Sequence, residues 1–223
     1  MMNLGMWTAA HILVIGYWLG TDLAVYYLSG FIVDPKQPTP VRMFATKAML
    51  ILDMVPRTAL VLTAAIGLTL TAGMGLMPAL QPWLPVAWAI SLAWLALTWT
   101  VHQLGNSALG RRLGQIDFGF RVLVVVAGFW LAFDATQQGG LITPAPWLGI
   151  KIAMLALSIA MGLVIRVQLK PFGPMLGKVV AGTATPADDA ALQHLMAMVK
   201  IPVWVIWIAL VLAAVMGSTK GVG

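Results

Sequence analysis

This 223-residue sequence has no cysteine and no glutamate, and only 9% of its residues are charged. Without cysteine, the chain can form no disulfide, no thiolate metal site and no cysteine nucleophile. A soluble domain of this size would carry roughly a quarter charged residues to solvate its surface. Here 61% of the residues are hydrophobic and the mean hydropathy is +0.93. The composition therefore indicates a protein embedded in a lipid bilayer.

The apolar residues fall into six stretches, each close to the roughly 20 residues that a membrane-spanning helix requires. The predicted spans are 7–31, 55–72, 84–103, 118–136, 147–167 and 201–217. Proline and glycine punctuate the connectors, as they do in loops. No connector exceeds about 35 residues, which is too short for a second domain. We therefore predict an all-α membrane protein, a single transmembrane domain over residues 1–223.

The basic residues predict the orientation of these spans, because cytoplasmic loops are enriched in lysine and arginine. Ten of the 13 bases lie at alternate connectors: Lys36, Arg42, Lys47, Arg111, Arg112, Arg121, Arg166, Lys170, Lys178 and Lys200. The other connectors, 73–83 and 137–146, carry no charge. The sequence thus predicts both termini on the extracytoplasmic side of a bacterial cytoplasmic (inner) membrane.

The longest basic connector has a helix signal of its own. Thr185 is a capping residue, Pro186 suits a first helical position, and Asp188 and Asp189 suit the positive end of a helix dipole. We expect a cytoplasmic interfacial helix over about 186–199. The overall basic excess favours contact with anionic lipid. No basic stripe with interleaved aromatic residues is present, so we expect no nucleic-acid partner.

Ionisable residues inside the spans are candidates for function, because each costs roughly 2.5–3.5 kcal/mol at the centre of a membrane helix. In the first span, Trp18 and Asp22 each lie within about 20° of His11 on a helix. Asp53 and Arg57 are four residues apart and can form an ion pair, although Arg57 could equally reach Asp22.

The predicted topology sorts these groups into two sets by depth. Asp22, Asp53, Arg57 and His102 belong to the cytoplasmic half, and His11, Asp134 and Lys151 belong to the outer half. His11 and Lys151 each follow a tryptophan by four residues, which places both about 6 Å below the outer interface. Asp134 could neutralise Lys151, which could otherwise extend to the surface.

Inward-facing histidine in a helical bundle is typical of haem proteins. His11 is separated from His102 and His194 by roughly 25 Å of helix rise, so His11 cannot share one haem with either of them. A haem at the outer side would need His11 together with Lys151, a methionine or an open position. His102 is a weaker second candidate for iron. The 14 methionines suggest copper, but they are scattered as packing residues would be.

Three segments resemble a known superfamily. His11 to Gly20, HILVIGYWLG, is similar to the first helix of the HemJ protoporphyrinogen oxidases and of the copper-resistance protein D (CopD) membrane domains. Residues 42–70, with Pro56-Arg57 before an apolar run, resemble their second helix. The start Trp147-Leu148-Gly149-Ile150-Lys151 resembles their Trp-Leu-x-x-Lys motif. The resemblance implies that His11 and Lys151 match the characteristic His and Lys, with His11 contacting haem b. The protoporphyrinogen oxidase activity itself is not carried over.

The first hypothesis is therefore a b-haem-binding membrane protein in electron transfer or quinone-linked redox chemistry. In it, His11 is the ligand, Lys151 is the second ligand or a propionate partner, and Trp18 packs on the macrocycle. The partners would be a quinone or a redox protein, with a homo-oligomer left open. The alternative is a copper or small-solute permease of the CopD type, in which Asp22, Arg57 and His11 line a path. A third hypothesis is a non-catalytic membrane subunit that binds a partner at its cytoplasmic loop.

Overall fold

The computed structural model describes residues 3–219, which form eight α-helices, one 3₁₀ helix and no strand. The helices are α1 (Leu4–Val33), α2 (Thr39–Leu52), α3 (Met54–Gly73), α4 (Leu84–Leu104), α5 (Ala108–Asp134), α6 (Pro146–Gln168), α7 (Phe172–Val180) and α8 (Pro186–Thr219), with the 3₁₀ helix at Pro78–Trp83.

Six helical stretches are long and apolar enough to cross a membrane. They are α1, α2 with α3, the 3₁₀ helix with α4, α5, α6 and α8. The shortest has 23 residues, and its length of about 35 Å exceeds the roughly 30 Å of a hydrocarbon core. The prediction of an all-α protein with about six membrane-spanning helices is thus confirmed.

Contacts between the first and last helices define the two ends of the bundle. Gln193 Nε2, early in α8, donates to the Val33 carbonyl at the end of α1 (3.3 Å), and Trp207 Nε1 donates to Asp22 Oδ2 (3.3 Å). The two helices are therefore antiparallel. We call the end that holds Val33 and Gln193 the basic end, because the lysine- and arginine-rich connectors lie there. The opposite end, with the uncharged connectors, is the neutral end.

The centre of the bundle is packed around two tryptophans. Trp18 of α1 and Trp94 of α4 are 3% and 5% exposed. They belong to one buried cluster with residues of α3, α6 and α8: Ala59, Leu60, Val61, Ile159, Ile206 and Leu210. Because this cluster joins most of the spanning helices, it fixes the faces that the remaining side chains present to the interior.

Two helices extend further toward the basic end than the predicted spans. α5 begins at Ala108, ten residues before the predicted span at 118, and the Ser107 hydroxyl caps it by accepting the Gly110 N–H (3.0 Å). α8 runs without a break from Pro186 to Thr219, so the predicted interfacial helix 186–199 is continuous with the last span. Pro202 removes only one helical hydrogen bond, which the surrounding packing tolerates. Hydropathy identifies the apolar part of such helices but does not detect their polar ends, so the predicted spans begin later than the helices.

The extended end of α8 forms a cap with α1, α2 and α7, and this cap has its own apolar core. The core consists of Ile32 of α1, Ala45 and Met49 of α2, Leu176 and Val179 of α7, and Leu192 of α8. α7 lies within the basic connector and was not predicted from the sequence.

Arg42 links three helices of this cap. Its side chain is only 5% exposed. Its Nε donates to the Ile32 carbonyl (2.8 Å), and its Nη2 donates to Asp189 Oδ1 (2.9 Å). The carbonyls in the last turn of a helix lack intrahelical partners, so Arg42 satisfies one of them in α1. One guanidinium therefore joins the end of α1, the start of α2 and the start of α8.

We expect Arg42→Ala to loosen the cap. The change removes the hydrogen-bond donor to the Ile32 carbonyl and the cation paired with Asp189. It should lower the free energy of unfolding by about 3 kcal/mol, as expected for a largely buried pair. Amide hydrogen exchange should accelerate in α2 and in the first turns of α8, while α4 stays protected. Arg112, an exposed arginine of α5, gives the control variant Arg112→Ala. Equal exchange in both variants would show that Arg42 does not hold the cap.

Candidate functional site

Several ionisable residues of the spans are gathered around one cavity. It has a volume of about 330 Å³ and lies toward the basic end, between α1, α3, α6 and α8. Six of its lining residues carry ionisable side chains: Asp22, Asp53, Arg57, Arg121, Arg166 and Lys200. The sequence predicted Asp22, Asp53, Arg57 and His102 as one set by depth; the structure brings the first three to this site and leaves His102 outside it.

The cavity reaches into the apolar part of the bundle. Its lining runs along α1 from Trp18 to Ser29 and along α8 from Met196 to Ile206. Trp18 and Ser29 are eleven residues apart, which corresponds to about 16 Å of helix rise. The Lys200 ammonium lies 4.5 Å from the centre of the Tyr26 ring. Asp22 stands one helical turn from Trp18, so charged groups reach toward the deeper side of the cavity.

The break between α2 and α3 places Asp53 and Arg57 at the cavity. Asp53 is the single residue between the two helices, and Pro56 stands in the first turn of α3, where its missing N–H costs no helical bond. Arg57 Nε donates to Asp53 Oδ2 (2.7 Å), and a second guanidinium nitrogen contacts the same oxygen. Of the two acids considered for Arg57, the ion pair is therefore made with Asp53. Asp22 instead accepts the Trp207 N–H.

Asp117 is a functional candidate that the sequence analysis missed. It is 2% exposed and lies behind the cavity wall. Its carboxylate accepts from Trp94 Nε1 (3.1 Å), Arg121 Nε (3.0 Å) and Arg166 Nη1 (2.7 Å). The signal was present in the sequence, because Asp117 and Arg121 have the same four-residue spacing as Asp53 and Arg57. It was overlooked because the predicted span began at residue 118.

One carboxylate thus holds two guanidinium groups. Arg121 also approaches Thr98 and lies with its Cζ 5.3 Å from the Trp94 ring centre, while Arg166 Nη2 donates to the Gly114 carbonyl (3.0 Å). Both arginines also line the cavity. Asp117 can neutralise only one of them, so the pair leaves one positive charge at the wall. In a medium of low dielectric constant, that charge attracts an anion strongly.

The residues predicted for the outer half are at the neutral end. His11 of α1 faces α3 near Gly67, and its Nδ1 is buried with no hydrogen-bond partner among residues 3–219. The Lys151 ammonium lies against Gly217 of α8, where a Cβ would collide with it, so glycine leaves the space for this side chain.

Asp134 has a different role from the one expected for it. Its carboxylate accepts the N–H groups of Leu141 (3.2 Å) and Ile142 (2.9 Å), and it fits against Gly140. It makes no ion pair within the described residues and therefore does not neutralise Lys151 there. Asp134 instead fixes the connector between α5 and α6, because a carboxylate can accept several backbone N–H groups at once.

The other histidines lie apart from His11. His102 is in the last turn of α4, exposed at the basic end, with its ring edge toward Trp99. His194 is exposed on α8. Within residues 3–219, no group of three or more His, Asp or Glu side chains could hold a metal ion.

The residues present fit one part of a haem site. A buried imidazole nitrogen without a partner is a group that a ligand could satisfy. The charged cavity, however, begins at Trp18, seven residues or about 10 Å along α1 from His11. His11 is not among its lining residues. His11 and the cavity are therefore separate sites.

No family model, no curated protein and no solved structure matches this chain. The resemblance of three segments to the HemJ and CopD membrane domains stays a prediction.

Proposed function

We propose that this protein is a membrane permease for a small anionic solute, which binds in the charged cavity. The observation that supports the proposal is the excess of positive charge at that cavity. Four cations and three carboxylates lie at the cavity or directly behind its wall. The cations are Arg57, Arg121, Arg166 and Lys200, and the carboxylates are those of Asp22, Asp53 and Asp117. With every group ionised, one positive charge remains.

An uncompensated charge within a membrane span is costly, and such charges in membrane proteins commonly mark the path of a substrate or ion. A bound carboxylate or phosphate would supply the missing negative charge. Arginine suits this role because its fork of N–H donors matches the oxygens of either group. Arg166 suits this role, because it shares the Asp117 carboxylate with Arg121 and its side chain is 33% exposed.

The cavity also has the position that a permease requires. With both termini on the extracytoplasmic side of a bacterial cytoplasmic membrane, as the loop charges favour, the cavity would open toward the cytoplasm. His11 lies on the same face of α1 as Trp18 and Asp22, toward the neutral end. Trp18 stands between His11 and the cavity, so a solute that crosses the bundle must pass Trp18.

Arg166→Gln should weaken the binding of a small anion about tenfold, the loss expected for one charge-assisted hydrogen bond. The measurement is equilibrium dialysis of radiolabelled benzoate against the protein in lipid nanodiscs, with phosphate as a competitor. Arg112→Gln, on the exposed surface of α5, should bind as the wild type does. Uptake of benzoate into proteoliposomes then tests transport itself.

The proposal fails if the wild-type protein binds neither benzoate nor phosphate saturably. It also fails if Arg166→Gln and Arg112→Gln bind both anions equally well.

The second candidate function is the b-haem protein, which the partnerless Nδ1 of His11 favours. Two other buried side-chain atoms lack partners among the described residues, Thr63 Oγ1 and Gln168 Oε1, but neither belongs to a usual iron ligand. In this candidate, His11 would hold haem b, Lys151 would serve as second ligand or propionate partner, and Trp18 would pack on the ring. A quinone or redox protein would exchange the electrons.

The visible absorption spectrum of protein expressed with haem supplied tests this second candidate. If haem is bound through His11, a Soret band should be present, and His11→Ala should remove or shift it. His194→Ala should leave the band unchanged, because His194 lies exposed on α8. A wild-type spectrum without a Soret band would eliminate haem and leave the permease proposal untouched.

A further inference from the structure

A second groove adjoins the charged cavity on the side of α1 and α8. It has a volume of about 310 Å³ and is lined by Tyr26, Tyr27, Gly30, Phe31, Asp34, Gln37 and Lys200. Two of these residues, Tyr26 and Lys200, also line the charged cavity. The groove and the cavity therefore meet at the contact between the Lys200 ammonium and the Tyr26 ring.

The groove opens to the side of the bundle. Tyr27, on its wall, is 67% exposed, and Trp204 of α8, which packs edge-on against Tyr26, is 51% exposed. Aromatic side chains at the level of the lipid headgroups are typical of the membrane interface. Gly30 has open space where a Cβ would be, which keeps the groove clear. A molecule lying in the membrane could thus enter between α1 and α8.

Apart from its charged groups, the cavity behind this opening has largely apolar walls. Val25, Leu60, Leu163, Val203 and Ile206 are among its lining residues. A small hydrophilic anion would make no apolar contact with these walls. A molecule with an acidic head and an apolar tail would satisfy both the guanidinium groups and the apolar walls.

The one carboxylate in the groove lies apart from its junction with the cavity. Asp34 accepts the Lys36 N–H (2.9 Å) and the Gln37 side chain (3.1 Å) at the end of α1, eight residues or about 12 Å of helix rise from Tyr26, and it does not line the cavity. Lys200 is then the ionised group at the junction of groove and cavity. A cation over an aromatic face is held more weakly than a cation paired with a carboxylate, so an incoming carboxylate can draw Lys200 away from the ring.

Resting on the proposed function, we infer that the solute is an amphiphilic anion, a carboxylate with an apolar chain. It enters sideways from the lipid leaflet at the basic end. Lys200 leaves the Tyr26 ring to contact the acidic head, which then passes to Arg166 and Arg57, while the tail follows along the apolar wall. The contact between Lys200 and Tyr26 is the gate of this lateral opening.

Bromoundecanoate in nanodiscs tests this inference, because its bromine quenches tryptophan fluorescence on contact and Trp18 lines the cavity. Bromoundecanol has the same chain and bromine without the charge, and it measures quenching by simple lipid contact. The acid should quench saturably beyond the alcohol. Lys200→Gln should weaken that binding about tenfold, as expected for one charge-assisted contact.

The route is tested separately by Gly30→Phe, which fills the groove without touching the cavity. This variant should lose the fast phase of quenching by bromoundecanoate in a stopped-flow experiment, yet bind benzoate as the wild type does. Gly20→Phe is the matched control, because Gly20 lies exposed on α1, has the same open space and lines neither groove nor cavity.

The outcomes separate this inference from the proposed function. If the protein binds benzoate but bromoundecanoate quenches no more than bromoundecanol, the solute is not an amphiphilic anion. The proposal of a permease for small anions would then stand. Equal quenching rates in Gly30→Phe and Gly20→Phe would overturn the lateral route. Absence of binding by both benzoate and bromoundecanoate would remove the proposed function itself. Should Gly30→Phe lose benzoate binding through misfolding, the stopped-flow quenching rate of Lys200→Gln tests the route instead, because Lys200 stands at the junction of groove and cavity.

Discussion

The Asp117 carboxylate is the interaction on which the charged half of this protein depends. It is buried between α4, α5 and α6, and it accepts hydrogen bonds from a side chain of each: Trp94, Arg121 and Arg166. Removing one member of a buried ionic cluster is strongly destabilising, because the remaining charges lose their compensation. Because these hydrogen bonds require particular atoms to meet, the cluster fixes the positions of the three helices along one another. Purely apolar contacts would allow the helices to slide. The cluster also keeps two arginines inside a membrane protein.

The same cluster sets the character of the cavity. Because one carboxylate serves two guanidinium groups, the wall that α5 and α6 contribute is positive. The opposite wall adds the neutral pair of Asp53 and Arg57, the hydrogen-bonded Asp22 and the cation Lys200. The packing of Trp18 and Trp94 closes the cavity toward the middle of the bundle. The ion pairs that hold α4, α5 and α6 together therefore also give the cavity its positive charge.

Local patterns explain which features could be predicted from the sequence. The six spans follow from apolar runs, and the pairing of Asp53 with Arg57 was anticipated as one of two choices because four residues make one helical turn. The contact of Arg166 with Asp117 spans 49 residues of sequence. It depends on how α5 and α6 pack, which hydropathy does not describe. Likewise, Asp134 looked like a partner for Lys151 by depth alone, but its carboxylate turns to the backbone of the next connector.

The positive potential of the cavity is the central claim, and the chain offers a direct measurement because it contains no cysteine. Gly162 lines the cavity and has open space at its Cβ position, so Gly162→Cys introduces a single thiol there. Its reaction rates with a negatively and a positively charged methanethiosulfonate are compared with those of Asn106→Cys, in an exposed connector. The negative reagent should be favoured at Gly162→Cys by about tenfold or more relative to the control, given the strength of an unscreened charge nearby. Equal preference at the two positions, or preference for the positive reagent at Gly162→Cys, would contradict the account.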